Sequence, residues 1–567
     1  MKLFSILAKH APNKVFFAIV AGALSGVAYA LLIPLVMYSL PSEDGSFKVL
    51  PSEPRYFFNL EVSNPTMALV FAIAVLFIWL SRTWSEVTLT RVSIGMASDL
   101  RVQMYHRIAH APLTAIERIG LPRLSTAIAF DVPKVVLGAQ YMPSVLMDAV
   151  TLSGMLLFLA YLNVDVFWFV LKCIGFGVLT TDAIYRLSDR YHARAAEIND
   201  SLQESIHGLI EGFKELKLSD EKRAKYFQNV LLAHETAFSK TQKTGCSVDA
   251  GATHYGQILS FLVIGAVIFI FVSYHPVTNE NLVGIVMTLL YIATPIGSLL
   301  RTLPSVKISR IALKRVMELL AELPEENIAK DSVPSPAWER LRLEQVSYRH
   351  QPKGEATAFA VGPIDIEIRK GAITLIVGGN GSGKSTLGKL LTLHYHHCGG
   401  DIYFDDERIS RDNINSYRQR IAAIYSDYYL FDRILTANWE EDTVRHYLRL
   451  FGLEEKVTYQ NGMFSTLSLS DGQRRRMALV AAFVEDKDFY LFDEWAADQD
   501  PAFKQVFYRQ ILPSLRARGK AVVAITHDDR FFDVADTLIV MEEGKVSSIE
   551  HSRREPSRGP VVISLKE

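Results

Sequence analysis

Residues 378 to 386 read Gly-Gly-Asn-Gly-Ser-Gly-Lys-Ser-Thr and match G-x-x-x-x-G-K-[ST] through Gly378, Gly383, Lys384 and Ser385. In such a loop, glycines let the amides of Gly379, Asn380, Gly381 and Ser382 turn toward phosphate oxygens. The lysine reaches the β and γ phosphates, and the hydroxyl of Ser385, beside Thr386, ligates magnesium. The apolar run "AITLIV" precedes the loop and a helical pattern follows it, which is the context the motif requires. Nucleotide binding follows from this stretch.

A second run, "DFYLF" at 488–492, ends in Asp493 and Glu494. An acidic pair alone is usually a solvated strand end. Behind a phosphate loop it becomes a hydrolytic site, with Asp493 holding magnesium through its water shell and Glu494 orienting or deprotonating the water that attacks the γ-phosphate. Leu469-Ser470-Asp471-Gly472-Gln473 opens another helical stretch, where Ser470 and free amides could grip a phosphate. His527, after "AVVAIT", is placed as a polar contact for the γ-phosphate.

These residues must be positioned by strands and helices. From Leu341 onward, short apolar runs alternate with helical stretches, which predicts an α/β domain with a largely parallel sheet. Before it, "PEENIAKDSVPSPAWERL" reads as a charged, proline-bearing linker. The expected organisation is 1–318, 319–340 and 341–567: a helical membrane domain, a linker and a nucleotide-binding domain.

The first part is of another character. The chain has 567 residues, 49% of them hydrophobic and 21% charged, so a hydrophobic half is joined to an ordinary soluble one. A spanning helix needs about 20 apolar residues. Stretches near 15–38, 66–90, 144–162, 164–184, 256–275 and 282–303 meet that need. Lys and Arg cluster before the first span and between spans two and three and four and five, whereas "LNVD" and "HPVTNEN" carry none. Both termini are therefore expected on the cytosolic side. The basic segments have helical periodicity, with Leu202, Ile206, Leu209, Ile210 and Phe213 expected to pack between helices that carry motion out of the bilayer. Lys172, inside span four, is a candidate contact for an acidic cargo group; its place about 10 Å below the outer surface suits a snorkelling or structurally paired side chain better.

A formal net charge of −1 offers no global basic field for nucleic acid. Three cysteines at unrelated spacings suggest neither disulfides nor a zinc site, and are expected to be small buried hydrophobes.

In the order phosphate loop, LSDGQ, acidic pair and histidine, the second half resembles the nucleotide-binding domain of ABC transporters, and six spans before one such domain resembles a half-transporter of the ABC exporters. The resemblance implies a dimer, most simply a homodimer, in which the LSDGQ helix of each chain completes the other's ATP site. It also implies a D-loop carrying Asp500, and ATP and Mg2+ as cofactors. Two positions depart from the family pattern. Ser426 stands where a metal-sensing glutamine is usual and would reach magnesium only through water. His350 stands at the adenine-stacking position, with Tyr348 on the same strand face; either could stack, and His350 is favoured.

"YSDYYLFD", "DEWAADQDP", "THDDRFFDVAD" and "EGFKELKLSD" are similar to the exporters of cyclic peptides and siderophores, of the syringomycin and pyoverdine kind. That implies export of a peptide-like secondary metabolite from a bacterial cytoplasm through the inner membrane. No peptidase segment precedes span one, so leader cleavage is not expected. A lipid or lipid-linked flippase of the same architecture is the alternative, followed by a nucleotide-gated channel or regulatory subunit, against which the intact Glu494 argues.

Overall fold

A computed structural model describes residues 10–39, 55–57, 60–62, 65–274, 279–326, 337–350, 359–436 and 439–552. Much of the loop after the first span, and residues 327–336 of the expected linker, lie outside the described residues. The chain separates into two compact units, Met1–His106 with Pro122–Ala321, and Arg107–Leu121 with Glu322–Glu567.

Among the described residues, six helices in the first unit are long and apolar enough to cross a membrane. They are built on α1 (Pro12–Ser39), α2 (Pro65–Ala109), α4 (Val132–Leu162), α5 (Val164–Glu211), α6 (Leu232–Ala266) and α7 (Asn279–Glu322); α3 (Leu113–Ile119) belongs to the second unit. At about 1.5 Å per residue, the 48 residues of α5 span roughly twice a bilayer's apolar thickness, so the helix continues well beyond it. Asn163 breaks α4 from α5 in extended backbone and caps the latter, accepting from the amides of Asp165 and Val166 at 2.9 and 3.0 Å.

Val166 and Val170 of α5 meet Ile264 of α6 and Ile285 and Leu289 of α7 in one apolar cluster. Glycine lets α4 and α7 approach: a Cβ on Gly138 would sit 2.1 Å from that of Ser309. Toward the far end of α5 the packing expected from periodicity holds in part. Leu202 is buried, but Ile210 and Phe213 are 68% and 56% exposed, because they lie at the tip of the α5–α6 hairpin.

The second unit follows the expected α/β class. Its main sheet has six strands in the order β10 (Lys545–His551), β9 (Thr537–Glu542), β3 (Ile373–Gly378), β8 (Ala521–Ile525), β7 (Phe489–Asp493) and β6 (Ile421–Ile424). All pairings are parallel except that of β10 with β9. Strands β3, β7 and β8 are buried along nearly their whole length, which explains why they read as continuous apolar runs. An antiparallel sheet of β2 (Ala360–Arg369), β1 (Arg340–Arg349), β4 (Gly399–Phe404) and β5 (Glu407–Arg408) stands beside it.

The cysteine expectation fails at two of three positions. Cys246 and Cys398 are exposed, the first within α6 and the second just before β4, and Cys173 is half-buried.

Candidate active site

Parallel register brings the sequence's scattered chemistry to one edge. Asp493 pairs with Ile525 across β7 and β8, and Ile525 pairs with Ile376 across β8 and β3, so all three strands end together. The phosphate loop, the acidic pair and His527 leave from these carboxyl ends, the usual location of ligand sites in such sheets.

The loop's shape is set by glycine where the backbone demands it. Gly378 and Gly383 have φ of 152° and 97°, and a Cβ on Gly378 would meet the Met541 carbonyl oxygen at 2.2 Å. The loop opens into α8 (Lys384–Leu391), with Gly383 as the left-handed cap, which aims free amides at the loop's concavity. The Lys384 ammonium donates across the loop to the carbonyls of Gly378 and Gly379 at 2.9 and 2.8 Å. Burial lowers its pKa, while the charges of Glu494 and Asp493 work the other way. The Ser382 hydroxyl is buried and has no hydrogen-bond partner within the structure, as suits a group that answers to a phosphate oxygen.

Asp493 is 2% exposed and accepts from the Ser385 hydroxyl at 3.4 Å. Burial pushes its carboxyl above the ordinary range; the Ser385 bond opposes this, and the charges of Glu494 and Asp427 add to it. Two hard oxygens under a buried, electron-rich carboxylate fit a magnesium ion. Glu494 accepts from His527 Nε2, or shares its proton, at 3.0 Å. Beside this pair lies a cavity of about 330 Å3 lined by Ala497, Lys504, Tyr508 and Thr526.

Ser470 caps α9 (Asp471–Glu485) in a reciprocal box: its hydroxyl accepts from the Gln473 amide, and the Gln473 side chain accepts from the Ser470 amide at 3.2 Å. Leu469 is partly buried against the core, Asp471 is exposed and Gly472 accepts from Gln499 through its carbonyl at 2.9 Å. Asp500 caps the next helix, Pro501–Val506, and pairs with Arg476 at 2.6 Å.

Tyr348 and His350 are separated by their surroundings. Tyr348 is buried and stacks on Tyr395, with centroids 4.5 Å apart. His350 is half-exposed and shares a hydrogen bond with Thr386 beside the phosphate loop at 3.0 Å. Burial lowers the His350 pKa, which favours a neutral ring. Ser426 is exposed in the turn after β6, next to Asp427. Lys172 is exposed on α5 and lines neither of two membrane-unit cavities that run along this helix, α6 and α7.

Sequence reasoning passed over several residues whose partners are distant in the chain. Arg475 donates to the backbone carbonyls of Glu494 and Trp495 at 2.6 and 3.0 Å. Within the second unit, Glu117 of α3 accepts from Lys389 of α8 at 2.7 Å and from the Tyr395 hydroxyl at 2.6 Å. Glu326 receives both ends of the Arg418 guanidinium at 2.7 Å and meets His396 at 3.0 Å. An apolar or charge pattern announces none of these.

Residues 361–497 match the family model described as ABC transporter. The chain is 29% identical over 551 residues to the ATP-binding protein SyrD of Pseudomonas syringae pv. syringae, covering 95% of this chain and 94% of that one. It is 25% identical over 483 residues to an ATP-dependent lipid A-core flippase of Ralstonia nicotianae, covering 81% and 79%. The solved structure of a bacterial Atm1-family ABC exporter with ATP bound shares the fold, with a TM-score of 0.73 at 15% identity over 96% of each chain. With six described helices long and apolar enough to cross a membrane before a domain that matches the ABC transporter model and carries its acidic pair at the sheet edge, this chain has the half-transporter architecture of the ABC exporters, to which it is similar along nearly its whole length, and is an ATPase coupled to transport.

Proposed function

We propose that the protein works as a homodimer in a bacterial inner membrane, with both termini cytosolic, and exports a peptide-like secondary metabolite or siderophore precursor by alternating access. The observation that carries this reading is the similarity to SyrD along nearly the whole chain, membrane helices included. Two equivalent active sites are in keeping with the presence of Lys384, Asp493, Glu494 and His527 in one chain. Each would be completed by Leu469 to Gln473 of the other copy.

In each site the Lys384 ammonium and the loop amides hold the β and γ phosphates, and His350 stacks on the adenine. Ser385 and Asp493 would hold magnesium, with Ser426 placed to reach it through water; a bound ion would supply neutralisation of the charge that develops on the phosphate oxygens. Glu494 takes the proton of the attacking water, and His527 holds that carboxylate in place through its bond to Oε1. Closure of the dimer on ATP drives the membrane helices between inward and outward openings, and hydrolysis resets it. Lys172, outside both cavities, suits snorkelling better than contact with cargo.

The similarity to lipid A-core flippases favours a second reading, transport of a lipid-linked substrate. One experiment separates them. Metabolites retained by cells lacking the protein are compared with those of the parent strain, and the retained compound is tested for stimulation of ATPase in proteoliposomes, against a lipid A-core glycolipid. Stimulation by a retained peptide-like compound supports the proposal; stimulation by the glycolipid alone overturns it.

A further inference from the structure

Glu494 carries a conformational burden that the catalytic set does not explain. Its φ is +50°, a left-handed backbone rarely held by a residue with a side chain. Something must hold the residue there, because a relaxed backbone would swing the carboxylate away from His527 and the loop.

The Glu494 amide donates to the Ile525 carbonyl at 3.1 Å and its carbonyl accepts from the Ala497 amide at 3.2 Å, and a further, side-chain restraint comes from α9. Arg475, whose side chain is 11% exposed, places one guanidinium nitrogen between the carbonyls of Glu494 and Trp495, at 2.6 and 3.0 Å. Its other terminal nitrogen pairs with Asp498 at 2.6 Å. The Trp495 indole N–H donates in return to the Arg475 carbonyl at 2.9 Å. That ring is 1% exposed and stacks on Phe507 with centroids 4.4 Å apart, so the bond is anchored in the core. The next arginine extends the same seam: Arg476 donates to Gln499 at 3.0 Å and pairs with Asp500. Buried, charge-assisted bonds of this geometry are among the strong ones, and the planar fork of arginine serves the two carbonyls through one nitrogen while the other pairs with Asp498, which the single nitrogen of lysine cannot reproduce.

We propose that Arg475 is a positioning residue for ATP hydrolysis, holding the Glu494 backbone in its left-handed conformation so that the carboxylate meets the attacking water. The restraint runs from the helix that begins at Ser470, so the LSDGQ segment and the catalytic carboxylate move as one bonded body. This rests on the reading of Glu494 as the catalytic base and adds a residue that acts through it without touching the nucleotide.

The test uses full-length protein in nanodiscs, with steady-state Mg-ATP turnover and binding of a fluorescent ATP analogue. Arg475→Gln is expected to lower kcat by about 10- to 100-fold, with KM and analogue affinity within about threefold of wild type. Arg475→Lys, which keeps one charged donor, is expected to recover part of that rate. Trp495→Phe keeps the stack on Phe507 but deletes the N–H, and should lower kcat by about threefold or more at unchanged affinity, which serves if Arg475→Gln does not fold. Two results overturn the proposal. One is kcat within twofold of wild type in Arg475→Gln, or in Trp495→Phe should Arg475→Gln not fold. The other is a fall in kcat matched by loss of analogue affinity and melting temperature, with lysine no better than glutamine. Glu494→Gln is run alongside; wild-type turnover there would instead locate the failure in the assignment of the base.

Discussion

A single carboxylate, Asp493, shows how the site discriminates among its possible occupants. Burial opposes its ionisation, and two further carboxylates, Glu494 and Asp427, raise its pKa further, so a divalent cation bound there relieves an unfavourable charge arrangement. Ser426 stands at the edge of that arrangement, exposed and one residue from Asp427. Ser426→Gln would let an amide oxygen reach the metal directly. The magnesium concentration for half-maximal turnover should then fall by about threefold, while ATP-analogue affinity measured in EDTA stays unchanged. A changed affinity in EDTA with an unchanged magnesium dependence contradicts this. Residues of this kind were legible in the sequence because their chemistry is carried by residue type at fixed short spacing, as in Gly378 to Thr386. Arg475 was not, because its partners are carbonyls 19 and 20 residues away and any residue supplies a carbonyl.

At the scale of elements, hydrophobic periodicity and length were sufficient for the six long helices and for β3, β7 and β8, each buried almost end to end. Burial at the α5–α6 tip was legible only in part, since periodicity reports an apolar face without saying what covers it; Phe213 and Leu218 remain exposed in this chain. The association of Arg107–Leu121 with the second unit depends on long-range ion pairs that no local pattern encodes. Glu326 is the most electrostatically committed of these positions. Burial works against its charge, but bonds from His396 and Arg418 more than offset that and hold its carboxyl down at about 2. A carboxylate depressed below its ordinary value of 4.5 adds stability that is fully present above that value and is lost as pH falls toward about 2. Glu326→Gln should therefore melt several degrees lower than wild type at pH 7, by about the amount expected for losing a half-buried paired charge. The gap should narrow as melts are repeated from pH 4.5 downward. A gap that stays constant to pH 3 would show that the Glu326 charge does not carry the stability.

At the scale of the whole molecule, an apolar six-helix unit and an α/β unit with its chemistry at one sheet edge make a machine that couples ATP hydrolysis to transport. The architecture was readable from composition and motif order, since membrane length and phosphate-loop geometry leave few alternatives. Cargo was not, because no residue type at a fixed spacing encodes it; one of the two membrane-unit cavities, of about 340 Å3, is lined mainly by apolar and uncharged polar side chains, with Arg301 its single charged group. In the proposed cycle, transport depends on one chemical step, hydrolysis at the γ-phosphate, for which Glu494 is proposed as the base. The most direct measurement is steady-state Mg-ATP hydrolysis by purified full-length protein, wild type against Glu494→Gln, with ATP-analogue binding recorded on the same samples. Loss of the carboxylate with Lys384 and Ser385 intact should cut turnover by about 100-fold or more and leave binding within about threefold, with the substituted protein accumulating as a closed, ATP-bound dimer. Turnover of Glu494→Gln at the wild-type rate would contradict the account.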